Sequence, residues 1–99
     1  MSLTNTFETT VLTWLLTASS ATRPTSWYIG LFTAPPGEAG GGTEVSGNAY
    51  VRKAVTFTVT GNTASNDGAV EWPVATGSWG TITDVAIFDA VTSGNMIGY

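Results

Sequence analysis

The chain has 99 residues, no Cys, no His, and a net charge of −4 from seven acidic and three basic side chains. Such a length supports one hydrophobic core, and the composition excludes disulfides, thiolate metal sites, Cys nucleophiles and histidine general bases. Three cations cannot supply the several phosphate contacts that non-specific nucleic-acid binding requires, so no nucleic-acid partner is expected.

The longest apolar runs, Val11 to Leu16 and Trp27 to Phe32, fall well short of the roughly 18 residues that suggest a membrane span, and no membrane partner is expected. The opening MSLTNTFE has no basic n-region, so no export signal is read there. With ten charged residues in all, the surface falls to uncharged polar groups, above all the eighteen Thr. A solvated Thr-rich face is what half-buried antiparallel sheets carry.

A helix over about residues 5–18 is predicted first. Asn5 stands as its cap with Glu8 three residues on, in capping-box spacing. Phe7, Val11, Trp14, Leu15 and Ala18 then share one face. Thr9, Thr10, Thr13 and Thr17 lie largely off that face and lower helix propensity, so the helix needs packing to persist. Arg23-Pro24 marks the exit, since a residue before Pro is pushed out of the helical region.

After Pro24 the hydrophobic period changes from 3.6 to 2. Ser26 to Thr33 reads as a buried strand, and Ala34 to Asn48 as a long glycine-rich loop with too little apolar content to fix itself. Tyr50 to Thr60 is the clearest strand, with Val55, Phe57 and Val59 on one face and Thr56, Thr58 and Thr60 on the other. Gly61-Asn62 and Asn66-Asp67-Gly68 supply turns on either side of Thr63 to Ser65. Ala69 to Trp72 is a further strand, stopped at Pro73. Thr81 to Asp89 alternates with a parity slip: Ile82 matches Phe88, whereas Val85 matches Ile87. That slip implies a bulge or a strand buried on both faces. Ser93-Gly94-Asn95 turns the chain into Met96 to Tyr99. The sum is an α+β fold in a single domain over residues 1–99: one N-terminal helix packed on an antiparallel β-sheet or small β-sandwich, the β region running from about 26 to 99.

No catalytic, cofactor-binding or metal residues are assigned. Glu38 and Glu44 sit in the glycine-rich loop without the dense Asp/Asn spacing of a calcium loop, and read as solvated acids. Gly40-Gly41-Gly42 is not followed by the Lys and helix start of a phosphate-binding loop. Asp84 and Asp89, five positions apart on a strand, point to opposite faces and do not form a glycosidase carboxylate pair. Trp14 and Trp27 read as core. Trp72 and Trp79 lie near turns, where they suit core or interface packing, with stacking on a sugar as the alternative. Arg52 and Lys53, adjacent on a strand, face opposite sides and serve two separate interactions.

The helix around Phe7 and Trp14, the segment TEVSGNAYVRKAVTF and the segment SWGTITDVAIFDAVTSGNM together resemble a family of small bacteriophage virion proteins described as tail-fibre-like. The resemblance touches most of the chain and implies a non-enzymatic structural component of a phage or prophage particle, made in the bacterial cytoplasm and located in the virion. It would act by symmetric assembly, as a homo-oligomer and with other virion proteins. Two alternatives stand beside it: a capsid decoration protein, and a host-glycan-binding module built on Trp72 and Trp79. The assembly or ligand contact candidates are Glu38, Glu44, Trp72, Trp79 and Tyr99. Members of the family also continue past the position of Tyr99 with two short apolar strands. Either this fold is completed differently or it leaves a sheet edge for a partner strand to cover.

Overall fold

The computed structural model describes residues 2–99. Helix α1 (Asn5–Leu16) precedes seven strands: β1 (Trp27–Ala34), β2 (Thr43–Glu44), β3 (Lys53–Val55), β4 (Phe57–Thr60), β5 (Thr63–Asn66), β6 (Asp84–Phe88) and β7 (Met96–Gly98). All strand pairs are antiparallel, in a five-stranded sheet ordered β2-β1-β6-β7 with β3 also on β1, and a separate β4-β5 hairpin. This is the expected N-terminal helix with antiparallel β-sheets, α1 contacting β7.

Strand β1 is the spine, because its eight residues carry β6 along one edge and β2 and β3 end to end along the other. Its alternation divides the sheet. Tyr28, Gly30 and Phe32 face one way with their β6 partners Phe88, Ala86 and Asp84, while Ile29 and Leu31 face the other with Ile87 and Val85. Phe32, Ala86 and Phe88 form the core, with Tyr28, Met96 and Tyr99 packed around them. The rings of Phe32 and Phe88 lie parallel, 6.1 Å apart. Consecutive burial of Ala86, Ile87 and Phe88 means that both faces of β6 are covered there, and the pairing with β7 shifts register between Ile87 and Phe88. The parity slip read from Thr81 to Asp89 has that origin: the strand begins only at Asp84, and Ile82 lies outside it, exposed.

Several elements differ from their sequence reading. The capping box does not form. Thr4 occupies the cap position with extended backbone, and its buried hydroxyl donates to the Met96 carbonyl at 2.7 Å instead of accepting from the helix. A β7 carbonyl outcompetes the helix amides because Thr4 is packed against that strand. Helix α1 stops at Leu16, and Thr17 turns extended. Trp14, expected in the core, is 62 % exposed, since the part of α1 that packs on β7 is its first turn, where Phe7 is buried. The long strand from Tyr50 to Thr60 breaks at Thr56, so that Val55 stays in the main sheet, buried, while Phe57 is half-buried and Val59 exposed in the hairpin. Ala69 to Trp72 forms no strand.

The sheet edge at β7 is completed by the chain's own beginning. Ser2 and Tyr99 exchange backbone hydrogen bonds at 2.8 and 2.9 Å, and the Thr4 amide donates to the Ile97 carbonyl. Ser2 to Thr4 thus lie along the outer edge of β7, paired with Ile97 to Tyr99.

Candidate functional site

The densest polar constellation lies on the core face of the sheet, where the loop after β1 returns. Three successive glycines, Gly40, Gly41 and Gly42, take left-handed backbone with φ of 85°, 77° and 72°. At Gly42 a Cβ would stand 2.7 Å from the Ala34 carbonyl oxygen, so only glycine fits. The loop read as too poor in apolar residues to fix itself thus follows a defined path. It turns at Gly37 and Gly40, forms β2, and buries Val45, whose amide donates to Leu31.

That path delivers Glu44 to Arg52. The guanidinium makes a bidentate pair with the carboxylate, Nε to Oε2 at 2.9 Å and Nη2 to Oε1 at 2.8 Å, the strong geometry for this pair. Its Nη1 donates to the carbonyls of Ala90 and Ser93, and its plane covers the Phe88 ring at 3.4 Å from the centroid. The Tyr50 hydroxyl donates to Glu44 Oε2 at 2.7 Å and accepts from the Leu31 amide at 2.9 Å. Burial pushes the Glu44 carboxyl upward, but hydrogen bonds from Arg52 and Tyr50 and the Arg52 charge outweigh it and leave the pKa lowered. Burial and the bond to Glu44 drive the Tyr50 phenol well above its usual range. Gly30 is required beneath this cluster, since a Cβ there would lie 2.9 Å from both Glu44 Oε2 and the Phe88 ring. As expected of neighbours on a strand, Arg52 and Lys53 part: Arg52 sits over Phe88, while Lys53 pairs with Ile29 of the other face.

Tyr50 also joins this cluster to the second half of the chain. Trp79 packs edge-on against its ring, with centroids 5.5 Å apart, and donates from Nε1 to the Asn48 carbonyl at 2.9 Å. Asn48 also donates its side-chain amide to Ser78. Trp72 donates from Nε1 to the Val51 carbonyl at 2.7 Å and lies beside Phe57 at the opposite sheet face.

Of the five contact candidates, the structure brings Glu44 and Trp79 together through Tyr50. Glu38 and Glu44 line one cavity of about 390 Å³ with Arg52 and Phe88. The Glu38 side chain is exposed, and its backbone carbonyl accepts from Asn5 at the start of α1. Tyr99 packs against the Phe32 core, and Trp72 stands apart from the other four. Sequence reasoning missed Tyr50 and Asn48, and it gave Arg52 an interaction without joining it to Glu44. The available signal was an acid and a base, Glu44 and Arg52, flanking a tyrosine in a chain with three cations in all.

A polar cluster whose donors are consumed in tying loops to a sheet belongs to a structural module, and the comparison of the sequence with known families agrees. The family described as podophage GP4 fiber I protein gp80 matches residues 2–99, and the chain belongs to that family. It is a phage fibre protein, a non-enzymatic structural component of the virion. No curated protein matches the sequence.

Proposed function

We propose that the chain works as a repeated fibre subunit, held in a closed symmetric assembly of its own copies that joins other virion proteins. The observation that carries this reading is surface. A compact monomer of this mass exposes about 5,400 Å², whereas this chain exposes 6354 Å². Its radius of gyration of 14.6 Å likewise exceeds the roughly 12.6 Å of a compact domain of this length. The excess area, about 1,000 Å², matches what one partner buries in a stable interface, about 800 Å². Membership of a fibre family supports a fibre position over a capsid site.

Within that assembly, Glu38 offers exposed charge to a neighbour. Trp72 and Trp79, whose indole N–H groups are already bonded, offer ring surface, and Glu44 and Tyr99 hold the adjoining backbone in shape. Light scattering of the full chain at micromolar concentration should give a fixed multiple of 10.3 kDa that survives dilution. A mass of one chain throughout that range would defeat the reading.

A further inference from the structure

The apolar side of α1 is largely uncovered by its own chain, with Ala21 and Pro24 flanking only the edge that carries Phe7, Val11 and Trp14. At 100° per residue, the apolar side chains from Phe7 to Leu16 occupy about half the helix circumference, and threonines fill most of the rest. Only Phe7 is buried. Val11, Leu12, Trp14, Leu15 and Leu16 are 41, 56, 62, 61 and 73 % exposed. Five of the twelve large apolar side chains exposed among the described residues thus fall within six consecutive positions. A short helix carrying four threonines is marginal unless its apolar face is covered.

We propose that α1 is the self-association surface, the uncovered face of one copy packing on the same face of a second copy. This rests on the symmetric-assembly reading above and assigns the contact that would carry it. Charge allows a like partner: Glu8 lies on this face in the first turn and Arg23 stands at its edge beside Phe7, Val11 and Trp14, but no charged residue occurs from Val11 to Leu16, so identical helices meet along the last two turns without repulsion. A strongly charged partner would find little to complement there beyond Arg23. Area favours it as well, because the chain's excess of about 1,000 Å² is enough for a stable interface and its densest apolar concentration is this helix.

The test uses the full chain. Leu12→Lys with Leu15→Lys places like charges in the contact and should reduce the mass to that of one chain while the strand signal in circular dichroism persists. Val74→Lys, at a position 90 % exposed and far along the sequence, should leave the assembled mass unchanged. An assembly that keeps its mass with both lysines in α1 would overturn the helix contact and leave symmetric assembly standing; a monomeric wild-type chain would overturn both. A second measurement does not depend on the charged variant folding. The chain has no Cys, so Leu15→Cys on oxidation should link copy to copy, whereas Val74→Cys should not. If Leu15→Cys instead links only to copies carrying Val85→Cys, the helix docks on a neighbour's sheet face and the proposal fails.

Discussion

The β1-β6 pair and the α1 helix are written in the same alphabet of aliphatic, aromatic and small hydroxyl residues, yet one is the most enclosed part of the chain and the other among the most exposed. Periodicity is clear in both. What differs is the supply of covering groups. On β1 and β6 the core side is closed by Met96, Tyr99 and the Arg52 guanidinium, whereas α1 packs on β7 and buries Phe7 alone. A pattern fixes which side of an element wants burial, and a separate set of residues decides whether the same chain provides it. The β4-β5 hairpin repeats the lesson, since two strands alone are marginal in water and every residue of β5 is exposed.

The sharpest way to break this comparison is to remove the same kind of atoms from each region. Phe32→Ala, at a side chain 2 % exposed, should cost about 3–5 kcal/mol in urea unfolding. Val59→Ala, on the hairpin and 70 % exposed, should stay within about 0.5 kcal/mol. Comparable costs would show that the hairpin is as cooperative as the core.

The Glu44-Arg52 pair comes next. Arg52→Met keeps some cover on Phe88 but leaves a half-buried carboxylate without its partner, at a cost of about 2–3 kcal/mol. Adding Glu44→Gln to that variant should recover part of the loss, because the stranded charge is then gone. Additive costs would mean that the pair is not coupled.

The same pair sets a pH dependence. Glu44 has a folded pKa below its ordinary value of 4.5. Its stabilising contribution is therefore complete above that value and lost as pH falls through the lowered folded value. Asp67 is shifted the same way by hydrogen bonds from Thr58 and Thr56, but it is fully exposed and screened. Unfolding followed at neutral pH and again in acid should show a loss that Glu44→Gln reduces. A loss unchanged by Glu44→Gln would assign the acid sensitivity elsewhere. Tyr50 adds the opposite limb: its raised pKa makes its contribution complete below pH 10 and lost as alkali ionises the phenol.

Much of the fold was legible. The presence of the N-terminal helix, the β1 and β6 strands, the Gly61-Asn62 turn and the final strand follow from spacing and turn chemistry, which act over a few residues. What escaped depends on residues brought together from far apart in sequence. Thr4 abandons the helix cap because Met96 offers a carbonyl, ninety-two positions away. Trp14 fails to reach the core because α1 packs on β7 at the end that carries Phe7, and β7 comes from the far end of the chain. The candidate site was half legible: its loop and two of its residues could be singled out, but the Tyr50-Glu44-Arg52 cluster needs the β1-β2 pairing to exist first. The three glycines at 40–42 show why composition misled there. They serve a left-handed path that other residues cannot follow, and a Gly-rich stretch that shapes the backbone looks the same in sequence as one that merely loosens it.

The smallest predicted effect reverses sign between the two regions. Gly47, Asn48 and Ala49 are successively left-handed, with φ of 75°, 53° and 68°. Asn tolerates that conformation, but an alanine Cβ crowds the following carbonyl at a cost of about 1–2 kcal/mol. Ala49→Gly removes the crowding and adds roughly 0.5–1 kcal/mol of unfolded-chain entropy, so the net gain should be below about 1.5 kcal/mol. The same substitution at Ala86, fully buried in the centre of β6, deletes a packed methyl and loosens a strand, for a loss of about 1.5 kcal/mol. Urea midpoints for the two variants, compared at unchanged slope, should move in opposite directions. Movement in the same direction would mean either that Ala49 is not held left-handed in solution or that β6 is less tightly packed than its burial implies, and the slope of the Ala86→Gly transition would tell these apart.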